Sequence, residues 1–542
     1  MFGRITVLIP LLLVMISGIT YSAPGDLDTT FNPPYGVITY DGGIRRDWGG
    51  AVAIQADGKI VVAGGSFTNP RSSDVLVLRY NADGSPDKSF GTNGVVTYDG
   101  GSIDSGWAMA IQPDGKIVVA GNTHTVGSGR DYDLLVLRYN ADGSLDNSFG
   151  ADGIVTYDGG SEHEYGRAVA IQPDGKIVVA GGTGIVSYGD LLVLRYNADG
   201  SFDSSFGTNG VATYRGTGND FAWSAAVQPD GKIVVAGESS NGSDQDVLVL
   251  RYDADGSLDH GFGTHGVITY DSGSGYDYAE SVAIQPDGKI VVAGWGQGWD
   301  VLLFRYNADG SLDHSFGTNG VVAYEGEDGD CIAVAIQPDG KIVATGLTYN
   351  GRDADVGVFR YNADGSPDNS FGTNGVATYD GGGSNEYVWA VAIQSDGNIV
   401  IAGEGNNGSD YDVLVLRLIG GGNESIPASI DIKPDTLNTK SKGKWITCYI
   451  ELSDDYSVED IDVVTLTQCK SDPLYSPLAM VGPSEVGDHD DDGIPDLMVK
   501  FDRQELIPFL KVGDAELTVT GELVDGIPFE GSDTIRVIRP GK

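Results

Sequence analysis

The apolar positions of this chain fall in short β-branched runs separated by turns that carry Asp and Gly. The cleanest stretch reads Ala168-Val-Ala-Ile-Gln172, then Pro173-Asp-Gly175, then Lys176-Ile-Val-Val-Ala-Gly181. Asp and Gly both tolerate the positive φ of a tight turn, so two such runs around them predict a β-hairpin. Neither run alternates apolar with polar. Ala168 and Ala170 share one strand face, and Val169 and Ile171 share the other. A strand covered on both faces has this pattern, and a propeller blade, held between two neighbours, is built of such strands.

The hairpin recurs. Its leading glutamine stands at Gln55, Gln112, Gln172, Gln228, Gln285, Gln337 and Gln394, at intervals of 57, 60, 56, 57, 52 and 57 residues. A near-constant period of this size marks a repeat architecture. Each full unit continues through a variable loop, a third run (Leu134-Leu-Val-Leu-Arg-Tyr139), the turn Asn140-Ala-Asp-Gly143, and a fourth run (Gly153-Ile-Val-Thr-Tyr157). That gives four strand segments per unit, the content of one blade. The last unit stops at Asp412-Val-Leu-Val-Leu-Arg-Leu418, without its fourth segment. The missing piece stands alone at the start, as Gly25-Asp-Leu-Asp-Thr-Thr-Phe31 and Gly36-Val-Ile-Thr-Tyr40. The expected fold is all-β: a seven-bladed propeller over 23–418, closed by the N-terminal strand, which removes an open sheet edge.

Phe90-Gly91, Gln112-Pro-Asp-Gly-Lys-Ile-Val-Val-Ala-Gly121 and Arg138-Tyr-Asn-Ala-Asp-Gly-Ser-Leu-Asp146 resemble the delta-60 repeat family of bacterial secreted proteins. The strand and turn order is also similar to NHL-type propellers. The resemblance covers 25–418 and implies a propeller fold with little indication of function. Ala56 and Ser395 depart from it in place of the turn proline, and Asn398 in place of the lysine.

The two tight turns of each unit fall on one face and the two longer, variable connections on the other. Variable loops on a repeated scaffold are where binding is expected. Residues 419–428 read as a linker. From 429 to 542 the repeat is gone, and short runs such as Trp445-Ile-Thr-Cys-Tyr-Ile450 and Glu516-Leu-Thr-Val-Thr520 predict a small accessory β-sandwich. Cys448 and Cys469 leave two readings open there, a disulfide or separate thiols; Cys331 reads as a small buried side chain.

A net charge of −44 comes largely from aspartates in the recurring turns and argues against nucleic acid as a partner. Arg4 followed by the apolar run Ile5 to Ile19 and small residues predicts a signal peptide over 1–22. The expected address is secreted, extracellular or cell-surface, with no transmembrane segment in the mature chain.

Two kinds of site suggest themselves. Asp488, Asp490, Asp492 and Asp496, with the Ile494 carbonyl and Gly493 at the turn, match the first part of a calcium loop; Val499 stands where an EF-hand has Glu, so the reading is a calcium loop between strands. The alternative is a solvated acidic turn. Trp107, Trp223 and Trp389 directly precede the first run of their units, and Tyr165 lies nearby. Aromatics among Asp- and Asn-bearing loops fit a glycan or protein ligand, or packing between blades. Catalytic signals are poor: no HExxH, GxSxG or phosphate-loop pattern occurs, the six histidines are scattered, and paired acids such as Glu162 with Glu164 and Asp328 with Asp330 are what 77 acids give by chance. The function expected is binding through the variable loop face, with a carbohydrate-binding or polysaccharide-processing propeller as the alternative.

Overall fold

The computed structural model describes residues 23–539. Outside the description are 44, 70–71, 102, 125–130, 161–162, 185–188, 274, 297–300, 325–329, 383–384, 422–425, 435, 441–442, 453–456, 459–460, 471–477, 480–483, 488–493, 504–506, 508–511 and 524–527. The expected signal peptide, 1–22, therefore lies outside the described residues. Among those described, no helix is long and apolar enough to cross a membrane.

The repeats form seven four-stranded antiparallel sheets. The third unit is typical. Its strands Glu164–Ile171, Ile177–Thr183, Leu191–Tyr196 and Val211–Tyr214 pair in chain order. The second and third strands carry the core: Ile177, Val178, Val179 and Ala180 are fully buried, as are Leu191, Val193 and Leu194. Alternate side chains of one sheet enter two different apolar clusters, one shared with each neighbouring sheet. This is why the runs are apolar on both faces. First strands lie beside first strands all the way round, including Asp47–Ile54 beside Glu386–Ile393, so the seven sheets form a ring. The sheet of Glu386–Ile393, Ile399–Asn406 and Tyr411–Leu418 takes its fourth strand from Val37–Tyr40, with Val37 opposite Leu416 and Tyr40 opposite Val413.

At the tight-turn end each sheet is clamped by one buried arginine. Arg195 ion-pairs with Asp203 at 2.8 Å, its guanidinium carbon lies 4.5 Å from the centre of the Phe206 ring, and Nη1 donates to the Ala254 carbonyl of the next unit at 2.6 Å. The same set occurs at Arg79 with Asp87 and Phe90, and at Arg417, whose partners Asp28 and Phe31 come from the N-terminal segment. The sixth unit differs. Arg360 reaches Asp368 at 2.8 Å, but its Nη1 finds no acceptor, because the seventh unit lacks the turn whose alanine carbonyl serves elsewhere.

Beyond the repeats lie two further sheets. One holds Ser429–Lys433, Trp445–Glu451, Glu485–Gly487 and Asp496–Asp502; the other is built on Ile461–Lys470, Gly513–Leu523 and Pro528–Ile538. Ile432, Cys448 and Val499 of the first and Leu517, Val519 and Val537 of the second share one core. Part of the expected linker is a strand, since Ile426–Pro427 pairs in parallel with Phe529 and Glu530. Cys448 is a free, buried thiol, and so is Cys331.

Candidate functional site

Every first strand carries a β-bulge at the same place. The register skips one residue, between Gly49 and Ala51, Gly106 and Ala108, Gly166 and Ala168, Ala222 and Ser224, Ala279 and Ser281, Cys331 and Ala333, and Val388 and Ala390. The skipped residues are Gly50, Trp107, Arg167, Trp223, Glu280, Ile332 and Trp389. A bulge re-aims a side chain out of the ladder, and here all seven residues line one cavity of about 360 Å³ at the centre of the ring. Trp295, Asp330, Leu347 and Tyr387 complete its wall.

The bulge explains a glycine that the sequence repeats without obvious cause. In the run Ile-Val-Val-Ala-Gly, a Cβ on Gly181 would stand 1.8 Å from the Tyr165 carbonyl oxygen, which the bulge drives toward the second strand. Gly64, Gly121, Gly237, Gly294, Gly346 and Gly403 meet the equivalent carbonyl at 1.7–1.9 Å. Glycine within a strand pattern is a signal for close backbone approach, and it marks all seven bulges.

The cavity wall is aromatic with a few charges. The Arg167 guanidinium carbon lies 4.3 Å from the Trp107 ring centre and 5.2 Å from that of Trp223, and its Nε has no hydrogen-bond partner. Solvent in the cavity reaches Arg167, yet protein surrounds it. That burial lowers its pKa to about 10, with Tyr165 and Glu280 opposing the shift. Glu280 accepts a hydrogen bond from the Trp295 indole at 3.1 Å. Burial pushes Glu280 up to about 7, helped by the charge of Asp330. Burial does the same to Glu238, on the neighbouring second strand, with Glu280 adding to it. The indole nitrogens of Trp223 and Trp389 are buried without partners. The site can therefore stack a flat apolar face, offer a cation, and donate hydrogen bonds.

Of the residues singled out in the sequence, Trp107, Trp223 and Trp389 come together here, half-buried on the cavity wall. Tyr165 does not line it. Its side chain is 7% exposed and packs against Tyr132 and Phe221. Trp48 is also buried, stacked on Trp107 with ring centres 5.6 Å apart. Arg167 and Glu280 were missed as site residues, because they differ from tryptophan in type while sharing its position. At the other candidate site, Asp488, Asp490 and Asp492 lie outside the described residues. Ile494 and Asp496 are described, and Gly487 pairs with Asp496, so the stretch between them joins two antiparallel strands.

Among solved structures the fold is similar to a catalytically inactive variant of virginiamycin B lyase from Staphylococcus aureus with quinupristin, at 9% identity and TM-score 0.40 over 70% of this chain and 98% of that one. A polysaccharide lyase matches at 14% identity and TM-score 0.40, over 70% of this chain and 91% of its own. A glucose dehydrogenase matches at 11% identity and TM-score 0.32, over 70% and 98%. At these values they carry nothing about chemistry. No curated protein matches the chain. The repeats match a family described as a domain of unknown function (DUF5122) beta-propeller, over residues 55–90, 112–149, 172–206, 228–262, 285–316, 337–371 and 394–419. The chain thus carries seven DUF5122 beta-propeller repeats.

Proposed function

We propose that this protein is a secreted or cell-surface binding protein whose ligand seats in the central cavity, on the bulged tryptophans and against Arg167. The observation that carries the reading is the convergence of seven bulged residues, different in type, on one cavity. A scaffold that repeats its strands and turns while varying this position within the strand is built to be read there. Trp107 and Trp223 supply stacking faces, and the guanidinium between them favours a ligand with an anionic group beside a flat apolar face. An acidic saccharide unit has that chemistry.

The wider reading accompanies this one. The ring is closed by Val37–Tyr40, the repeats are of the delta-60 kind, and the C-terminal region is an accessory β-sandwich holding calcium through Asp488, Asp490, Asp492, Ile494 and Asp496. Stretch 1–22 supports the secreted address. Processing of a saccharide is the second reading. It is favoured by Glu280 and Glu238, both raised to about 7, where a carboxyl group can serve as acid or base.

The test is a panel of neutral and acidic oligosaccharides offered to the full mature chain. We expect an acidic member to bind, and Trp107→Ala or Arg167→Gln to weaken it at least about tenfold, the worth of one good contact. Absence of saccharide binding, or binding indifferent to both variants, overturns the glycan reading and leaves a protein ligand. Turnover of the bound saccharide, abolished by Glu280→Gln, would establish processing.

A further inference from the structure

A second pattern repeats at the long-loop end of the sheets, where each meets the next. Three carboxylates gather there at four junctions among the described residues. One stands at the start of a third strand, one in the loop after the outer strand, and one at the start of the next sheet's first strand. The sets are Asp412, Asp41 and Asp47; Asp133, Asp158 and Glu164; Asp246, Asp271 and Asp277; and Asp355, Asp380 and Glu386. Within each set, ligand oxygens from all three residues lie within 4.8 Å of one another.

The first-strand member is deeply buried in every set: Asp47 is 1% exposed, Glu164 2%, Asp277 0% and Glu386 3%. Each keeps one carboxylate oxygen with no hydrogen-bond partner, namely Asp47 Oδ1, Glu164 Oε2, Asp277 Oδ1 and Glu386 Oε2. In Asp47 and Asp277 the other oxygen accepts a loop N–H, from Gly42 at 2.6 Å and Ser272 at 2.8 Å. The orphaned oxygens are therefore a specific shortfall in otherwise bonded side chains. An unpaired buried carboxylate oxygen beside two more carboxylates is costly.

At one junction the chain supplies a cation of its own. Between the third and fourth sheets the loop position holds Arg215, where Asp or Glu stands at the other junctions. Arg215 Nε pairs with Asp190, the third-strand member, at 2.7 Å. There the first-strand member, Asp220, has both oxygens satisfied, by the Gly216 N–H at 2.5 Å and the Ser239 hydroxyl at 2.5 Å. The serine fills the second oxygen of Asp220 there, and the arginine neutralises Asp190.

We infer that the four triple-carboxylate junctions each bind a hard divalent cation of the calcium or magnesium class, and that Arg215 takes the cation's place at the junction between the third and fourth sheets. An all-oxygen, carboxylate-rich donor set selects such ions over softer ones. Each ion would tie two neighbouring sheets together, since its ligands come from both.

The experiment counts bound ions. The full mature chain is stripped with chelator and titrated with CaCl2 and MgCl2 by calorimetry, with equilibrium dialysis as a second count. Asp158→Asn and Asp271→Asn change exposed loop acids and leave the cores untouched. Each is expected to remove one equivalent and to shrink the rise in Tm that calcium gives the unmodified protein. Arg215→Asp is expected to add one equivalent. Ions held by the 488–496 stretch stay constant across these proteins. Unchanged counts in both Asn variants would overturn the inference, and no gain in Arg215→Asp would overturn the role given to that arginine.

Discussion

At the tight-turn end of each sheet a buried aspartate is paired with a buried arginine; at the long-loop end, Asp47, Glu164, Asp277 and Glu386 are buried with no side-chain cation paired to them among the described residues. The two ends carry opposite electrostatics in consequence. Burial pushes Asp259 upward, but hydrogen bonds from Lys232, the Gly261 N–H and Arg251 outweigh it and hold the group at about 2. Glu164, Glu280 and Glu386 at the other end are raised to about 7 chiefly by burial. The first end is satisfied from within the chain, save at Arg360, and holds the ring together. The second is left unsatisfied, which is what a ligand-binding end requires.

Removing a clamp should give the largest effect. Arg79→Ala leaves Asp87, which has no other side-chain cation among the described residues, buried beside an empty space and frees the Ala141 carbonyl. Breaking a buried pair by deleting one partner costs about 3–5 kcal/mol, so chemical denaturation should show a loss of that order. A loss below about 1 kcal/mol, the worth of a surface pair, would erase the contrast between the ends.

Gly181→Ala comes next. It drives a methyl group into the Tyr165 carbonyl at 1.8 Å, so either the bulge or the strand must move. Overpacking of this kind costs about 1–3 kcal/mol. Because the bulge aims Arg167 into the cavity, ligand affinity should fall together with stability. Stability lost with affinity intact would separate the glycine from the site.

The pH dependence tests both ends at once. Glu164, Glu238, Glu280 and Glu386, at about 7 in the folded chain, titrate near 4.3 when unfolded. Between those values the folded state binds more protons, so stability falls as pH rises from about 4.3 toward 7. Asp259 works in the opposite sense. Its contribution is present above about 3.9, the unfolded value, and is lost as pH falls toward 2. Melting without added cation should therefore peak between about pH 4 and 5, and calcium should flatten the decline above it. A curve still rising from pH 5 to 7 in chelator would contradict the raised values.

How much of this was legible follows from what repetition records. The seven hairpins and the four segments per unit could be read because turn chemistry and apolar runs recur in order. Trp107, Trp223 and Trp389 could be noticed because tryptophan is conspicuous. Gly50, Arg167, Glu280 and Ile332 occupy the same position in the other units, and no shared residue type announces it. The structure shows that position, not type, defines the cavity. The glycine after Val-Val-Ala was the available signal, as a close backbone approach opposite a bulge. The junction carboxylates were less legible still. Asp412 and Asp41 are 371 positions apart in the chain, and only ring geometry brings them together.

A difference between two clamps sharpens the comparison from inside the clamp end. Arg360 is the most buried of the clamp arginines, at 0% exposure. It is also the one whose Nη1 has lost its acceptor, and neither its Nε nor Asp368 Oδ2 attains hydrogen-bond geometry despite the 2.8 Å separation. Burial alone would make Arg360→Met as damaging as Arg195→Met. Bonding predicts otherwise, because the wild-type side chain at 360 already bears unsatisfied N–H groups that methionine removes. A hydrogen bond to a charged group contributes about 1.5–3 kcal/mol, so Arg360→Met should cost less than Arg195→Met by about that amount. Equal costs in denaturant would mean that the clamps act through packing on Phe371 and Phe206, and that the acceptor carbonyl from the next sheet contributes little to the ring.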